Sequence, residues 1–169
     1  RMNQVVRDYF DTPNIYVQPA AHDSGTSLGA ALEAHFEITG EAQPMVMEHA
    51  LLGPSYSNEK IAQTLQRFGL PVDKRADIAT EVGDLIADGK IVCWFQDGLE
   101  FGPRALGARS ILSDPRFQST KDRMNVMKGR QWWRPLGPSI LAGHEADWFD
   151  RPMHSPFMLF TLPIRQDKL

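Results

Sequence analysis

The sequence predicts a mixed α/β fold, with helices and strands interleaved, in two pieces that part near residue 50. Three observations carry this. Met2, Val5, Val6, Tyr9 and Phe10 recur at i, i+3, i+4, i+7 and i+8, the period of an amphipathic helix. The apolar run Ile91-Val92-Cys93-Trp94-Phe95 follows directly on a helical pattern and is bounded by turn residues, as a short strand is. Between these regions, residues 40–57 hold Pro44, Gly53, Pro54 and several serines without any period, as a linker or domain crossing does.

The elements follow in order. After the opening helix, Ile15-Tyr16-Val17 is a short strand. It leads through Gln18-Pro19-Ala20-Ala21-His22-Asp23 into a helix whose small residues, Gly25, Gly29, Ala30 and Ala31, permit close packing on another backbone. Thr39-Gly40 marks its end. Ser57 caps a helix with Ile61, Leu65 and Phe68 on its core face. The next helix carries Ile78, Val82, Leu85 and Ile86, and Gly89 closes it as the C′ residue. A strand follows at 91–95, then a glycine loop, then a strand at Ser110-Ile111-Leu112. Ser119 or Thr120 starts a helix to Lys128 that Gly129 ends. On it Lys121, Asn125 and Lys128 share a face, while Met124 and Met127 turn to the core. Ser139–Ala142 and Phe157–Leu162 read as strands, with Glu145–Phe149 a helical turn between them.

Composition bounds the function. Apolar content of 42% and charged content of 23% are those of a globular domain. No apolar run approaches the ~18 residues that span a bilayer, and Arg1, Arg7 and Asp8 break any signal-peptide pattern. The single cysteine, Cys93, lies in an apolar run and is expected to be a buried, inert thiol. The expected compartment is the reducing cytoplasm.

Charge is unevenly placed. Residues 98–134 hold eight basic side chains, Arg104, Arg109, Arg116, Lys121, Arg123, Lys128, Arg130 and Arg134, against Glu100, Asp114 and Asp122. The window is thus +5, and since the chain is −3, the remainder is −8. Gly98, Gly102, Pro103 and Gly107 punctuate its first half as a tight loop that lets a ligand approach the backbone. Three readings stand side by side: a solvated basic face, a pocket for a compact polyanion, and a single-stranded nucleic-acid surface using Trp132 and Trp133. A pI near 5.9 argues against the last, and the tryptophans are expected in the core or in a pocket wall.

The order of residues in this window carries a resemblance. Leu99-Glu100-Phe101-Gly102-Pro103-Arg104-Ala105-Leu106-Gly107-Ala108-Arg109-Ser110-Ile111-Leu112, then Asp114-Pro115-Arg116, resembles the hallmark of the O-carbamoyltransferases, the family of nodulation-factor, cephem and aminoglycoside carbamoyltransferases. Lys121-Asp122-Arg123-Met124-Asn125, Lys128, Arg130, Arg134-Pro135-Leu136 with Pro138-Ser139, and Ser155-Pro156-Phe157-Met158 continue it in the family's order. Gln18–Leu32 is similar to the end of that family's first domain.

The resemblance implies residues 1–45 as the end of a TsaD-like domain of actin/sugar-kinase-like fold, 46–57 as a linker, and 58–169 as an incomplete YrdC-like domain. It implies an enzyme that forms carbamoyl adenylate from carbamoyl phosphate and ATP, then passes the carbamoyl group to a hydroxyl-bearing small molecule, with no nucleic-acid or membrane partner. A homodimer is left open.

Such a pocket needs fixed cations. Arg104, Lys128 and Arg134 are the expected catalytic clamps, Arg130 and Ser110 further ligand contacts, and the amides of Gly25 and Thr26 a phosphate cradle at a helix start. Arg109 and Arg116 divide between ligand contact and a salt bridge to Asp114. At Asp23 two readings stay open: helix N-cap, and the metal-binding aspartate the resemblance implies, with Fe or a similar divalent ion. His22, His35, His49, His144 and His154 form no ligand spacing. Family members extend beyond this chain at both ends, so the isolated polypeptide is not expected to complete a transfer. The alternative reading is a non-catalytic nucleotide- or anion-binding module.

Overall fold

A computed structural model describes residues 2–12, 15–42 and 46–168. Pro44, part of the expected linker, lies outside them. The elements are α1 (Met2–Phe10), α2 (Asp23–Thr39), α3 (Asn58–Arg67), α4 (Ile78–Ala87), β1 (Val92–Phe95), β2 (Arg109–Leu112), α5 (Gln118–Met127) and α6 (Glu145–Trp148), with a 3-10 turn at Gln166–Lys168. The mixed class stands, and the sheet is one antiparallel pair. Contacts divide the chain into two compact units, one of Arg1–Leu52, Glu100–Leu106 and Ser139–Leu169, the other of Gly53–Leu99 and Gly107–Pro138.

In the first unit α1 forms where its periodicity predicts, but its apolar stripe faces outward. Tyr9 is 81% exposed, while the polar Gln4 is buried. Polar contacts tether the helix instead: Asn3 Nδ2 donates to the Leu159 carbonyl at 2.9 Å, and Arg151 pairs with Asp8 at 3.1 Å. Helix α2 ends at Gly40, whose left-handed φ of 73° lets its N–H reach the Phe36 carbonyl, a glycine C-cap.

The expected strands at 15–17, 139–142 and 157–162 do not form. A strand needs a neighbouring backbone to accept its N–H groups, and among the described residues none pairs with these segments; the isolated antiparallel bridge, Phe149 with Ile164, lies outside them. Pro138, Pro156 and Pro163 also remove donors there.

The second unit follows its caps closely. Ser57 accepts from the Lys60 N–H to start α3, and Asp77 accepts from the Thr80 N–H to start α4. Gly89, at φ 77°, closes α4. The ladder pairs Val92 with Leu112, Cys93 with Ile111, Trp94 with Ser110 and Phe95 with Arg109. Helix α5 begins earlier than expected, after Phe117, with no side-chain cap.

The core is small. Val82, Ala108 and Met124 are buried, but Ile61, Phe68, Ile78, Leu85 and Met127, all expected inside, are exposed. Each side of an amphipathic helix buries only what another element covers, and in this unit α4 against β1 is the helix–strand packing. Cys93 is likewise exposed rather than buried. Along β1 the odd face, Cys93 and Phe95, stays open while Val92 and Trp94 turn inward, as expected of a two-stranded sheet covered on one side.

Candidate functional site

The glycine loop joins β1 to β2. At its base Gln96 donates from its backbone to the Ala108 carbonyl at 2.9 Å and from Nε2 to the Gly107 carbonyl at 3.3 Å. The Gly107 N–H donates to Ser110 Oγ at 3.0 Å. Ser110, expected to meet ligand, therefore already holds the loop's exit, with its hydroxyl proton left to donate.

At the loop's centre Glu100 is buried, and its Oε1 accepts from the Leu106 N–H at 2.8 Å. A carboxylate that binds a backbone amide across six residues closes the loop around Pro103-Arg104-Ala105. Gly102 has φ 112°, and a Cβ there would sit 3.4 Å from the Pro19 carbonyl, an ordinary contact, so the backbone conformation rather than space selects glycine. Arg104 at the tip is exposed. Among the described residues it makes no ion pair or hydrogen bond. The sequence offers Glu100 as an acid of the window and a member of the long motif, and its position in an otherwise basic, glycine-punctuated loop is the signal for its role.

Downstream, Asp114 is buried and Arg116 grips it. Nε donates to both carboxylate oxygens at 2.9 Å, a terminal nitrogen donates at 2.6 Å, and the Arg116 backbone N–H adds a bond at 2.9 Å. These hydrogen bonds, led by the side chain of Arg116, hold the Asp114 carboxyl below the ordinary carboxylate range. The same guanidinium reaches the Ala87 carbonyl at 3.3 Å, and Arg123 reaches the Gly89 carbonyl at 3.2 Å. Arg116 thus sits on the last carbonyl of α4, where a positive charge is favoured, and Arg123 on the glycine just beyond the helix. For Arg116 the salt-bridge alternative is the one formed. Arg109 lies on β2 opposite Phe95.

The third part is the turn after α5. Lys128 is its C-cap, and the Gly129 and Arg130 N–H groups return to the Val126 and Asn125 carbonyls, a Schellman closure. Asn125 is only 1% exposed. It accepts from Arg130 Nε at 2.6 Å and donates to the carbonyls of Trp132 and Arg134 at 3.0 and 3.1 Å. Arg130 also donates to the Pro135 carbonyl at 3.1 Å. Asn125 does not share an open face with Lys121 and Lys128; it points into the turn. Lys128 and Arg134 are exposed and, among the described residues, carry no side-chain bond. Trp132 and Trp133, expected in a core or pocket wall, are 75% and 58% exposed. A poor helix former inside α5 was the sequence signal for Asn125.

At the start of α2 the N-cap is His22, whose Nδ1 accepts from the Ser24 N–H at 3.3 Å. Asp23, read as either cap or ligand, is therefore not the cap. It is the first helical residue and is exposed. The Gly25 N–H donates to the His22 carbonyl at 2.8 Å, and a Cβ on Gly25 would fall 2.1 Å from the Ala20 carbonyl. Among the described residues no three His, Cys, Asp or Glu gather as a metal site, and no helix is long and apolar enough to cross a membrane.

Residues 83–169 match the family model described as "Carbamoyltransferase C-terminus". The chain is 40% identical over 162 residues to nodulation protein NolNO of Sinorhizobium fredii, covering 92% of this chain and 24% of that protein. It is 40% identical over the same length to nodulation protein NolO of Bradyrhizobium diazoefficiens, at 92% and 30%. It is 29% identical over 154 residues to the 3′-hydroxymethylcephem-O-carbamoyltransferase of Streptomyces clavuligerus, at 91% and 28%. The chain spans about a quarter of the length of these relatives. With the family match covering the glycine loop, the Asp114 turn and the Asn125 turn together, the chain belongs to the carbamoyltransferase family.

Proposed function

We propose that this chain is part of an O-carbamoyltransferase that makes carbamoyl adenylate and passes its carbamoyl group to a hydroxyl-bearing small molecule. The observation that carries the reading is the family match over 83–169, which encloses every cation of the 98–134 window. The cephem relative, by its name, carbamoylates an oxygen. We extend that class of reaction to the protein that carries this chain.

In the proposed sequence, water takes the phosphoryl group of carbamoyl phosphate and phosphate leaves. The carbamate oxygen then bonds to the α-phosphorus of ATP as pyrophosphate departs, and the acceptor hydroxyl displaces AMP. Both activation steps move negative charge on phosphate oxygens, which fixed cations stabilise. Arg104, Lys128 and Arg134 suit that role because, among the described residues, no carboxylate neutralises them.

Ser110 fits a secondary contact through its remaining proton. Gly25 carries less weight as a phosphate cradle, its N–H being engaged by His22, and Thr26 stays a candidate beside it. The division into a TsaD-like segment (1–45), linker (46–57) and YrdC-like segment (58–169) belongs to the same proposal. So does Asp23 as one ligand of a divalent metal such as Fe. The described residues alone do not build that centre, since no three His, Cys, Asp or Glu gather around Asp23.

The test is pyrophosphate release from ATP by the intact native polypeptide carrying these residues, with and without carbamoyl phosphate. Release that needs carbamoyl phosphate is expected. ATP binding without any release would leave a non-catalytic nucleotide-binding module as the reading.

A further inference from the structure

Within the second unit, the turn from Lys128 to Pro135 has an unusual internal order. Three of its carbonyls, those of Trp132, Arg134 and Pro135, accept from the buried Asn125 or the half-buried Arg130. All three bonds trace to one pair. Asn125 uses three of its four hydrogen-bonding sites, both amide hydrogens and one lone pair of its oxygen, at 1% exposure. Arg130 is oriented by that oxygen at 2.6 Å and spends a second nitrogen on Pro135. The chain on either side of the pair carries the two exposed cations, Lys128 at the end of α5 and Arg134 six residues on.

We infer that Asn125 is a positioning residue for the anion site, fixing Arg134 relative to Lys128, and that Arg130 is its buttress and not a ligand contact. The inference rests on the functional reading above and deepens it. A single side chain that ties the Arg134 carbonyl to helix α5 sets where the Arg134 guanidinium starts from. Without it, an eight-residue turn of glycine, arginines and tryptophans has many backbone states, and two flexible cations seldom converge on one phosphate. Arg130 cannot serve the ligand with Nε, which Asn125 holds, and one of its terminal nitrogens is turned to the Pro135 carbonyl.

The discriminating variant is Asn125→Asp. It keeps the acceptor for Arg130 but replaces the amide donors with an oxygen facing two carbonyls, which opens the turn while preserving volume. In the intact polypeptide, titration with carbamoyl phosphate or with inorganic phosphate, followed by tryptophan fluorescence or calorimetry, should show binding weakened about tenfold to a hundredfold. The KM for carbamoyl phosphate should rise with it, the KM for the acceptor should not, and far-ultraviolet circular dichroism should stay as in wild type. Arg130→Lys should give a smaller loss of the same kind. Combined with Arg134→Ala, Asn125→Asp should add little, because both act on one cation.

Wild-type affinity in Asn125→Asp, or full additivity with Arg134→Ala, overturns the inference. If Asn125→Asp is poorly folded, the Arg130→Lys and Arg134→Ala pair carries the same additivity test, and independent losses there overturn it. Wild-type protein that binds carbamoyl phosphate yet releases no pyrophosphate defeats the adenylation reading alone. Absence of any phosphate or carbamoyl-phosphate binding defeats both.

Discussion

The turn at Asp114–Arg116 and the turn at Lys128–Pro135 lie twelve residues apart in one basic window and treat arginine in opposite ways. At the first, a buried carboxylate consumes the guanidinium with three side-chain hydrogen bonds. At the second, the buried group is a neutral amide. Asn125 organises the backbone and neutralises no charge, so Lys128 and Arg134 remain available. The difference teaches that a cluster of cations is sorted by what is buried beneath it. A carboxylate below turns a cation into scaffold, and an amide below presents it.

The largest effect that tests this contrast is functional. Arg104→Ala, Lys128→Ala and Arg134→Ala should each lower carbamoyl-phosphate-dependent pyrophosphate release about a hundredfold or more while leaving the melting temperature near that of wild type. Arg116→Ala should do the reverse, lowering the melting temperature while sparing carbamoyl-phosphate affinity. A phosphate-affinity loss in Arg116→Ala equal to that in Lys128→Ala would break the comparison.

Next in size is Arg130→Ala, which removes one hydrogen bond to the buried Asn125 and one to the exposed Pro135 carbonyl and should destabilise by about 1–3 kcal/mol, read by thermal or urea unfolding of the intact polypeptide.

A third prediction concerns acid. The Asp114 carboxyl lies below its ordinary range because Arg116 hydrogen-bonds its charged form. Its stabilisation is therefore complete above the unfolded value near pH 4 and is lost as pH falls through the lower folded value. Melting curves of wild type and Asp114→Asn should differ at neutral pH and converge in acid; a constant gap down to about pH 2 would show that the charge is not responsible.

The smallest effect is Gly29→Ala on α2, where an added Cβ meets nothing within 4 Å. It should stabilise by about 0.5–1 kcal/mol, whereas Gly25→Ala, with the Ala20 carbonyl in the way, should destabilise.

Much of the scaffold was legible before any coordinates. The caps at Ser57, Gly40, Gly89 and Gly129 obey local rules, and the structure follows each, because capping is settled within four or five residues of chain. The apolar patterns at 15–17, 139–142 and 157–162 promised strands and gave none, because pairing is a property of two segments and periodicity describes only one. The same limit explains Cys93, Ile61 and Met127: an apolar residue is buried only when something lies over it.

At the candidate site the sequence named the eight cations and their family resemblance, and it named Arg104, Lys128 and Arg134 as the clamps. It set Arg130 beside them as a further ligand contact, and could not show that its guanidinium is bonded to Asn125 and to the Pro135 carbonyl. It offered Asp114 as a salt-bridge partner, which Arg116 takes up, but could not assign Glu100 and Asn125, whose work is done by hydrogen bonds in a buried setting.

What the sequence determined by itself is therefore the helices, their ends and the family, all written in short-range pattern or in the order of a long motif. What only the tertiary structure decided is which charges are already satisfied. That depends on which carboxylate, amide or carbonyl folding brings within about 3 Å of each cation, and this distance is set by packing and not by sequence separation.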